Sequence, residues 1–415
     1  MLMTLAWNSL KSRRKSVLLT FLSLLISISV LFSVEHIRTQ AKESFNRTIS
    51  DVDLIVGAPS GQLNLLLYSV FRMGSPTNAI SYNSFSMLEQ SNQVSWAIPI
   101  ALGDSHKGFR VVGTNQTYFE HYRYGNKQPL SFDQGKAFAD TFDVVIGSDV
   151  ARKLNYKIGD EIVIAHGIGN VSFTKHDKTP FKISGILAAT GTPVDKSVHV
   201  SLEGIEAMHL PPSQLQILLN APNSAEAKAL IKPRQLSAIL LGLTSKFALF
   251  NLQRQINDYR DDRLMAVLPG VALTELWQLM GSVENLLRGI SLLVLLASLF
   301  GLSTMLLSSM NERKNEIAVL RVLGAGPGTL FSLVILEAML LVVFAILSAT
   351  ALVTLVLYLS QHWISARYGL FLDINLLTPT IWFADLIILI ATFVTSLLPA
   401  IEAYQNALHT RLSAR

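Results

Sequence analysis

Charged residues are missing from four long stretches of the chain. Ser16–Val34 lies between Lys15 and Glu35, and Gly289–Asn311 between Arg288 and Glu312. Thr329–Ser360 is uncharged except for Glu337, and Ile381–Ile401 carries only Asp385. A helix crosses the hydrocarbon core with about 20 apolar residues, so each stretch predicts a transmembrane helix, with spans at 16–34, 285–310, 329–360 and 381–401. The first follows a basic head (Lys11, Arg13, Arg14, Lys15), as a signal peptide would. It is longer than the roughly 7–15 apolar residues of a signal core, and no small-x-small cleavage site follows, so a retained anchor is expected.

Lys and Arg in the short flanks set the orientation. The head, residues 1–15, the loop 311–328 with Arg313, Lys314 and Arg321, and the tail 402–415 with Arg411 and Arg415 are basic. The loop 361–380 has only Arg367. Both termini and the Arg313 loop are therefore expected in the cytoplasm. The segment 35–284 is expected outside a bacterial inner membrane, in the periplasm.

Within that segment the apolar period shortens from helix to strand. Alternating or short apolar runs bounded by turns predict strands at Asp53–Val56, Val94–Ile100, Arg110–Val112, Val144–Ile146, Glu161–Ile164, Phe181–Leu187 and Ser197–Val200. Helices are predicted at Gln62–Phe71, Ser148–Leu154, Leu202–Met208 and Ser224–Ile231, and a last one from Leu273 through Arg288 leads into the second span. Pro211, Pro212, Pro222 and Pro233 break up the second half, which suggests two lobes, with the chain leaving one and returning to it. The fold class is then a four-span α-helical membrane domain plus a large mixed α/β two-lobed periplasmic domain inserted between spans one and two.

Composition narrows the function. Of 415 residues, 50% are hydrophobic and 15% charged, against roughly 25% charged in soluble proteins. The net charge of +5 is concentrated in the span flanks, which argues for an orientation signal and against a nucleic-acid surface. With no cysteine, disulfides, thiolate catalysis and cysteine-ligated metals are excluded. No G-x-S-x-G or H-E-x-x-H occurs, and Gly103-Asp-Ser-His beside Lys107-Gly108 reads as a hairpin tip. The histidines of the α/β segment (His106, His121, His166, His176, His199, His209) form no i,i+3 or i,i+4 pair, so no helical metal site is indicated. Gly159-Asp160 reads as a turn into a strand.

The most specific motif is N-E-R-K-N-E-I-A-V-L-R-V-L-G-A-G-P, Asn311 to Pro327. Glu312 and Glu316 stand one helical turn apart, Ile317 and Leu320 form an apolar stripe beside them, and Gly324 supplies a C-terminal stop with Pro327 beyond. This resembles the coupling segment of ABC transporter permeases of the MacB, FtsX and LolC/LolE type, whose pattern is close to N-E-R-x-x-E-I-x-V-L-R-x-L-G-A. Leu5-Ala-Trp-Asn-Ser-Leu, Val144 through Leu154 with Ile158-Gly-Asp, and Leu398-Pro-Ala agree with it. The resemblance covers essentially the whole chain, weakly from Leu210 to Arg263.

It implies an FtsX-like permease domain, a MacB-like periplasmic domain, and a dimer with a second permease chain, identical or not. Unlike MacB-type fusions, the chain has no G-x-x-x-x-G-K-[ST] phosphate loop. The expected partner is a separate ATPase subunit in two copies that carries ATP and Mg; this chain is expected to bind no cofactor or metal and to catalyse nothing. Glu312, Arg313, Lys314, Glu316, Ile317, Leu320, Arg321 and Gly324 would form the ATPase-coupling face, and the alternative for the same residues is a solvated cytoplasmic loop. Work would be mechanical: ATP-driven closure moves the coupling helices, and the spans pass the motion to the outside domain and its lipoprotein, peptide or other amphiphilic cargo.

Glu337 lies inside the third span. Intramembrane carboxylates usually face a partner or a wet cavity, and similar permeases often place Glu here, so a role at the dimer interface or in the motion stands beside a carboxyl that stays protonated or snorkels. On Gln62–Phe71, Leu63, Leu66, Leu67 and Phe71 are a candidate cargo or partner surface, with a buried core helix as the alternative. The competing function is an FtsX-like regulatory scaffold that activates a periplasmic enzyme or binding protein, in metal acquisition for instance, without moving cargo. The size of the outside domain favours transport.

Overall fold

The computed structural model describes residues 2–167, 179–312, 325–368 and 375–409. The chain forms two units, one of Met1–Gln40, Gly281–His362 and Leu372–Arg415, the other of Ala41–Met280 and Trp363–Phe371.

The first unit is helical. It holds all of α1 (Leu2–Ser12), most of α2 (Arg14–Thr48), α3 (Pro269–Glu312) and α4 (Pro327–Tyr368), and all of α5 (Pro379–His409); the end of α2, the start of α3 and the end of α4 belong to the second unit. Four of these helices, α2 to α5, are long and apolar enough to cross a membrane. The last three open on proline, which suits a first helical position because its missing N–H has no partner there anyway. Buried residues recur at three- and four-residue spacing: Leu24, Ile28 and Phe32 on α2, Leu295, Leu299 and Leu302 on α3, Ala338, Val342 and Ala345 on α4. Apolar residues on other faces, such as Leu19 and Leu293, are exposed, as a lipid-facing surface requires. Small hydroxyls join the helices: the Ser27 and Ser298 oxygens are 2.6 Å apart, and Ser303 donates to the Thr395 carbonyl at 2.9 Å. In lipid such side chains contribute through close packing and interhelical hydrogen bonds.

The second unit is built on an eleven-stranded sheet. In chain order the strands are β1 (Leu54–Gly57), β2 (Val94–His106), β3 (Phe109–Thr114), β4 (Phe132–Gly135), β5 (Asp143–Ile146), β6 (Glu161–Ile162), β7 (Ala165–His166), β8 (Phe181–Leu187), β9 (Ser197–Ser201), β10 (Ala238–Leu243) and β11 (Met265–Val267). The main path runs β11-β1-β10-β2-β3-β9-β5-β8-β4, with β7 on β2 and β6 on β8. The β3–β9 and β5–β8 pairs are parallel, whereas β1, β10 and β11 pair antiparallel.

The 13-residue β2 belongs to both halves of the sheet. Its first part, Val94 to Ile100, pairs with β10, and from Ala101 onward it pairs with β3, with a register shift between Leu102 and Ser105. The chain leaves at β3, builds the far half as far as β9, and returns at β10 to lie between β1 and β2. That is the two-lobed path the proline spacing suggested. Alternation sorts the cores: Leu54, Val56, Ile239 and Leu241 pack on one face of the sheet and Ile55, Ala238 and Leu240 on the other. At the β2–β3 hairpin Lys107 (φ 46°) and Gly108 (φ 85°) both take left-handed backbone, as a two-residue turn matched to strand twist demands.

Each of the seven predicted strand segments contains a strand, although the one predicted over Glu161–Ile164 ends at Ile162. Helices stand at Gln62–Ser69, Ser148–Leu154, Leu202–Met208 and Ala225–Leu230. Sequence reading missed β10, although it is central. Ala-Ile-Leu-Leu-Gly-Leu does not alternate because both faces of β10 are covered by core, and its neighbourhood is rich in proline. The helices Tyr82–Glu89, Pro212–Asn220 and Leu249–Asn257 were also missed.

Candidate functional site

Arg13 is the single residue between α1 and α2, and its side chain turns inward. Its Nη2 lies 2.9 Å from Glu337 Oε2 and 3.0 Å from Ser9 Oγ, and Ser9 donates to Glu337 Oε1. The Arg13 side chain is 9% exposed and that of Glu337 1%. The carboxylate of α4 is therefore satisfied within the chain by two groups from the N-terminal segment. Trp7 of α1 adds a tilted ring contact with Phe344, one and a half to two turns beyond Glu337, at 5.7 Å between centroids. A buried ion pair is held by geometry and additional hydrogen bonds, and removing one partner strands the other. The sequence placed Arg13 in the orientation signal. Its pairing with Glu337 had no local signal, the two being 324 positions apart.

A second charged group joins α2 to α3. Glu35 accepts from Arg38 at 2.7 Å and from Arg288 at 2.9 and 3.1 Å, and Arg38 lies 3.6 Å from Glu284. In α5, Asp385 Oδ1 is buried and makes no hydrogen bond.

The candidate coupling residues Arg313, Lys314, Glu316, Ile317, Leu320, Arg321 and Gly324 lie outside the described residues. Glu312 is the last residue of α3. Of the Gln62–Phe71 surface, Leu66 is fully buried and Leu67 packs against the same core, while Leu63 is half-buried. Phe71 is buried as well but reaches the wall of a cavity.

The histidines stay apart from chemistry. Among the described residues no three His, Asp, Glu or Cys side chains are grouped to hold a metal. His106 is buried at the end of β2, with Nδ1 2.7 Å from the Val163 carbonyl and Nε2 2.9 Å from the Tyr156 hydroxyl, and burial lowers its pKa. His199 on β9 is fully buried among Tyr118 and Phe119. Burial, reinforced by the nearby Arg72 charge, lowers its pKa to about 3. Both read as neutral core groups.

Four membrane-capable helices with an α/β unit inserted after the first define a multi-span membrane protein with one large extramembrane domain. Two family models match the chain: the MacB-like periplasmic core domain over residues 17–233 and the FtsX-like permease C-terminal over residues 288–407. The chain belongs to the FtsX-like permeases with a MacB-like periplasmic core domain, a family of ABC transporter membrane components. Among solved structures it is similar to the periplasmic region of MacB from Actinobacillus actinomycetemcomitans, at 10% identity and a TM-score of 0.35, over 55% of this chain and 94% of that one. No curated protein sequence matches the chain.

Proposed function

We propose that this chain is the permease subunit of an ABC transporter in a bacterial inner membrane. Both termini face the cytoplasm, and the work of a separate ATPase dimer becomes rearrangement of the periplasmic α/β unit. The observation that carries the reading is the pair of family matches, 17–233 and 288–407, in a sequence with no phosphate-binding loop. A second permease chain completes the dimer, and the cargo is a lipoprotein, peptide or other amphiphile.

The N-E-R-K-N-E-I motif is the docking face in this reading, with Ile317 and Leu320 seated on the ATPase and Glu312, Arg313, Lys314, Glu316 and Arg321 around them. Replacing Ile317 and Leu320 with Asp should abolish ATPase co-purification while membrane insertion persists; undiminished co-purification would remove docking from this segment. The Arg13–Glu337 pair supports a mechanical role for the N-terminal helix, because it fixes α1 to α4, which follows the coupling motif in the chain. Glu337→Gln should therefore lower permease-stimulated ATPase activity. Pull-down with the full-length protein separates transport from scaffolding: co-purified amphiphile supports transport, and a stoichiometric soluble periplasmic enzyme supports the scaffold.

A further inference from the structure

The α/β unit contains a cavity of about 510 Å3 whose wall carries Arg72, Lys107, Arg110, Lys153 and Lys196. Among the described residues no Asp or Glu lines it. These five residues come from four parts of the fold: Arg72 follows the helix Gln62–Ser69, Lys107 lies in the β2–β3 turn with Arg110 just beyond it on β3, Lys153 is on the helix Ser148–Leu154, and Lys196 ends the turn before β9. Volumes of roughly 300–1,000 Å3 are typical of small-molecule sites.

The cations are positioned by the fold: Lys107 donates to the Tyr156 hydroxyl at 2.9 Å and Arg110 to the Gly74 carbonyl. Arg72 is only 9% exposed and sits in left-handed backbone at φ 59°, a conformation a non-glycine residue adopts only when its surroundings impose it. Its Nη1 donates to the Ser69 carbonyl. Its Nε and the neighbouring Tyr118 hydroxyl are both buried, and the arginine opposes the rise that burial gives the Tyr118 pKa. Burial and the Arg72 charge lower the pKa of Arg110. Burial and the Lys153 charge lower that of Lys196, despite opposing contributions from Asp149 and Asp195.

The rest of the wall is apolar where it meets Phe45, Phe71, Met73 and Phe109. Guanidinium and ammonium groups together suit an anion with several oxygens, since Arg matches two at once and Lys supplies a point charge. We propose that this cavity binds an anionic amphiphile, a phosphate-ester headgroup among the five cations with the first part of its apolar chain against Phe45, Phe71 and Phe109. The proposal goes beyond the permease reading and is independent of it, since binding is read on the chain alone with no ATPase present.

The test titrates full-length protein in a neutral detergent with dihexanoyl phosphatidic acid, dihexanoyl phosphatidylcholine and inorganic phosphate, followed by calorimetry. The acidic lipid should bind at least tenfold tighter than either of the others. Arg110→Gln, and separately Lys153→Gln with Lys196→Gln, should each weaken it by tenfold or more. Circular dichroism establishes that each variant is folded, and the lysine pair carries the test if the Arg110 variant is not. Equal binding of the choline lipid, inorganic phosphate as tight as the acidic lipid, or unchanged affinity in folded variants would each overturn the proposal, the second in favour of a free-anion site.

Discussion

In the membrane unit Arg13 meets Glu337 at 2.9 Å; in the α/β unit Arg72 meets Arg110, and the wall they share has no carboxylate among the described residues. Both arginines are about nine-tenths buried, so both lose hydration, which is expensive for an ion. Arg13 recovers that loss from a carboxylate and a hydroxyl within the same chain. Among the described residues Arg72 pairs with no carboxylate, and it recovers part of that loss from the Ser69 carbonyl and the adjacent Tyr118 hydroxyl. A charge neutralised inside the fold acts as a structural clamp, whereas cations gathered on a cavity wall are the basis of the anion site proposed above.

The comparison breaks most visibly at Glu337. Glu337→Leu leaves Arg13 buried without its carboxylate and should cost about 3–5 kcal/mol of stability, read as a fall in the unfolding midpoint of the detergent-solubilised protein. Arg13→Met combined with Glu337→Leu should recover most of that loss, because an apolar pair of similar volume replaces an ion pair at little cost. If the double variant is no better than the single one, the pair is no closed unit and the contrast with the cavity fails.

His199 tests whether the α/β unit excludes charge as firmly elsewhere. Its folded pKa of about 3 lies below the ordinary value near 6.5, so below pH 6.5 the unfolded chain takes up a proton that the folded chain refuses. The His199 contribution is thus fully present above pH 6.5 and lost as pH falls from there toward 3. Between pH 8 and 5 the loss should be about 2 kcal/mol. His199→Phe should flatten this part of the acid-unfolding profile; an unaltered slope would assign the acid sensitivity to other groups. A smaller effect belongs to the partly exposed Glu35–Arg288 contact, where Arg288→Met should cost about 1 kcal/mol, and less at high salt.

How much of this could be read in advance depends on distance along the chain. The spans were legible because apolar runs are local, and β8 and β9 because their apolar residues are bounded by turns. Buried strand β10 was not, since a strand covered on both faces loses the alternation that identifies it. The resemblance carried by Asn311–Pro327 pointed to the family that the two matches define. Glu337 stood out as a lone intramembrane carboxylate, but its partners Ser9 and Arg13 are brought to it only by packing of α1 against α4. The cavity was invisible for the same reason: Arg72, Lys107, Arg110, Lys153 and Lys196 are ordinary surface residue types in a linear reading, and only the tertiary fold brings them to one wall.

The gentlest probe sharpens the cavity side of the contrast. Lys153 is exposed and adjoins Lys196, and its ammonium lies 6.0 Å from the Phe109 ring centre, so removing its charge relieves repulsion while forfeiting one weak cation–π contact. Lys153→Gln should therefore raise the stability of the ligand-free protein by a few tenths of a kcal/mol at low ionic strength, in the range of exposed charge pairs. The gain should shrink as salt screens the cluster over about 10 Å. Adding the acidic short-chain lipid should reverse the order, stabilising the unsubstituted protein more than the variant, because a ligand shifts unfolding in proportion to its affinity for the folded state. A variant less stable without lipid, and equally stabilised by it, would mean that the cations do not repel one another enough to matter and that the cavity is no more poised for an anion than the Arg13–Glu337 clamp.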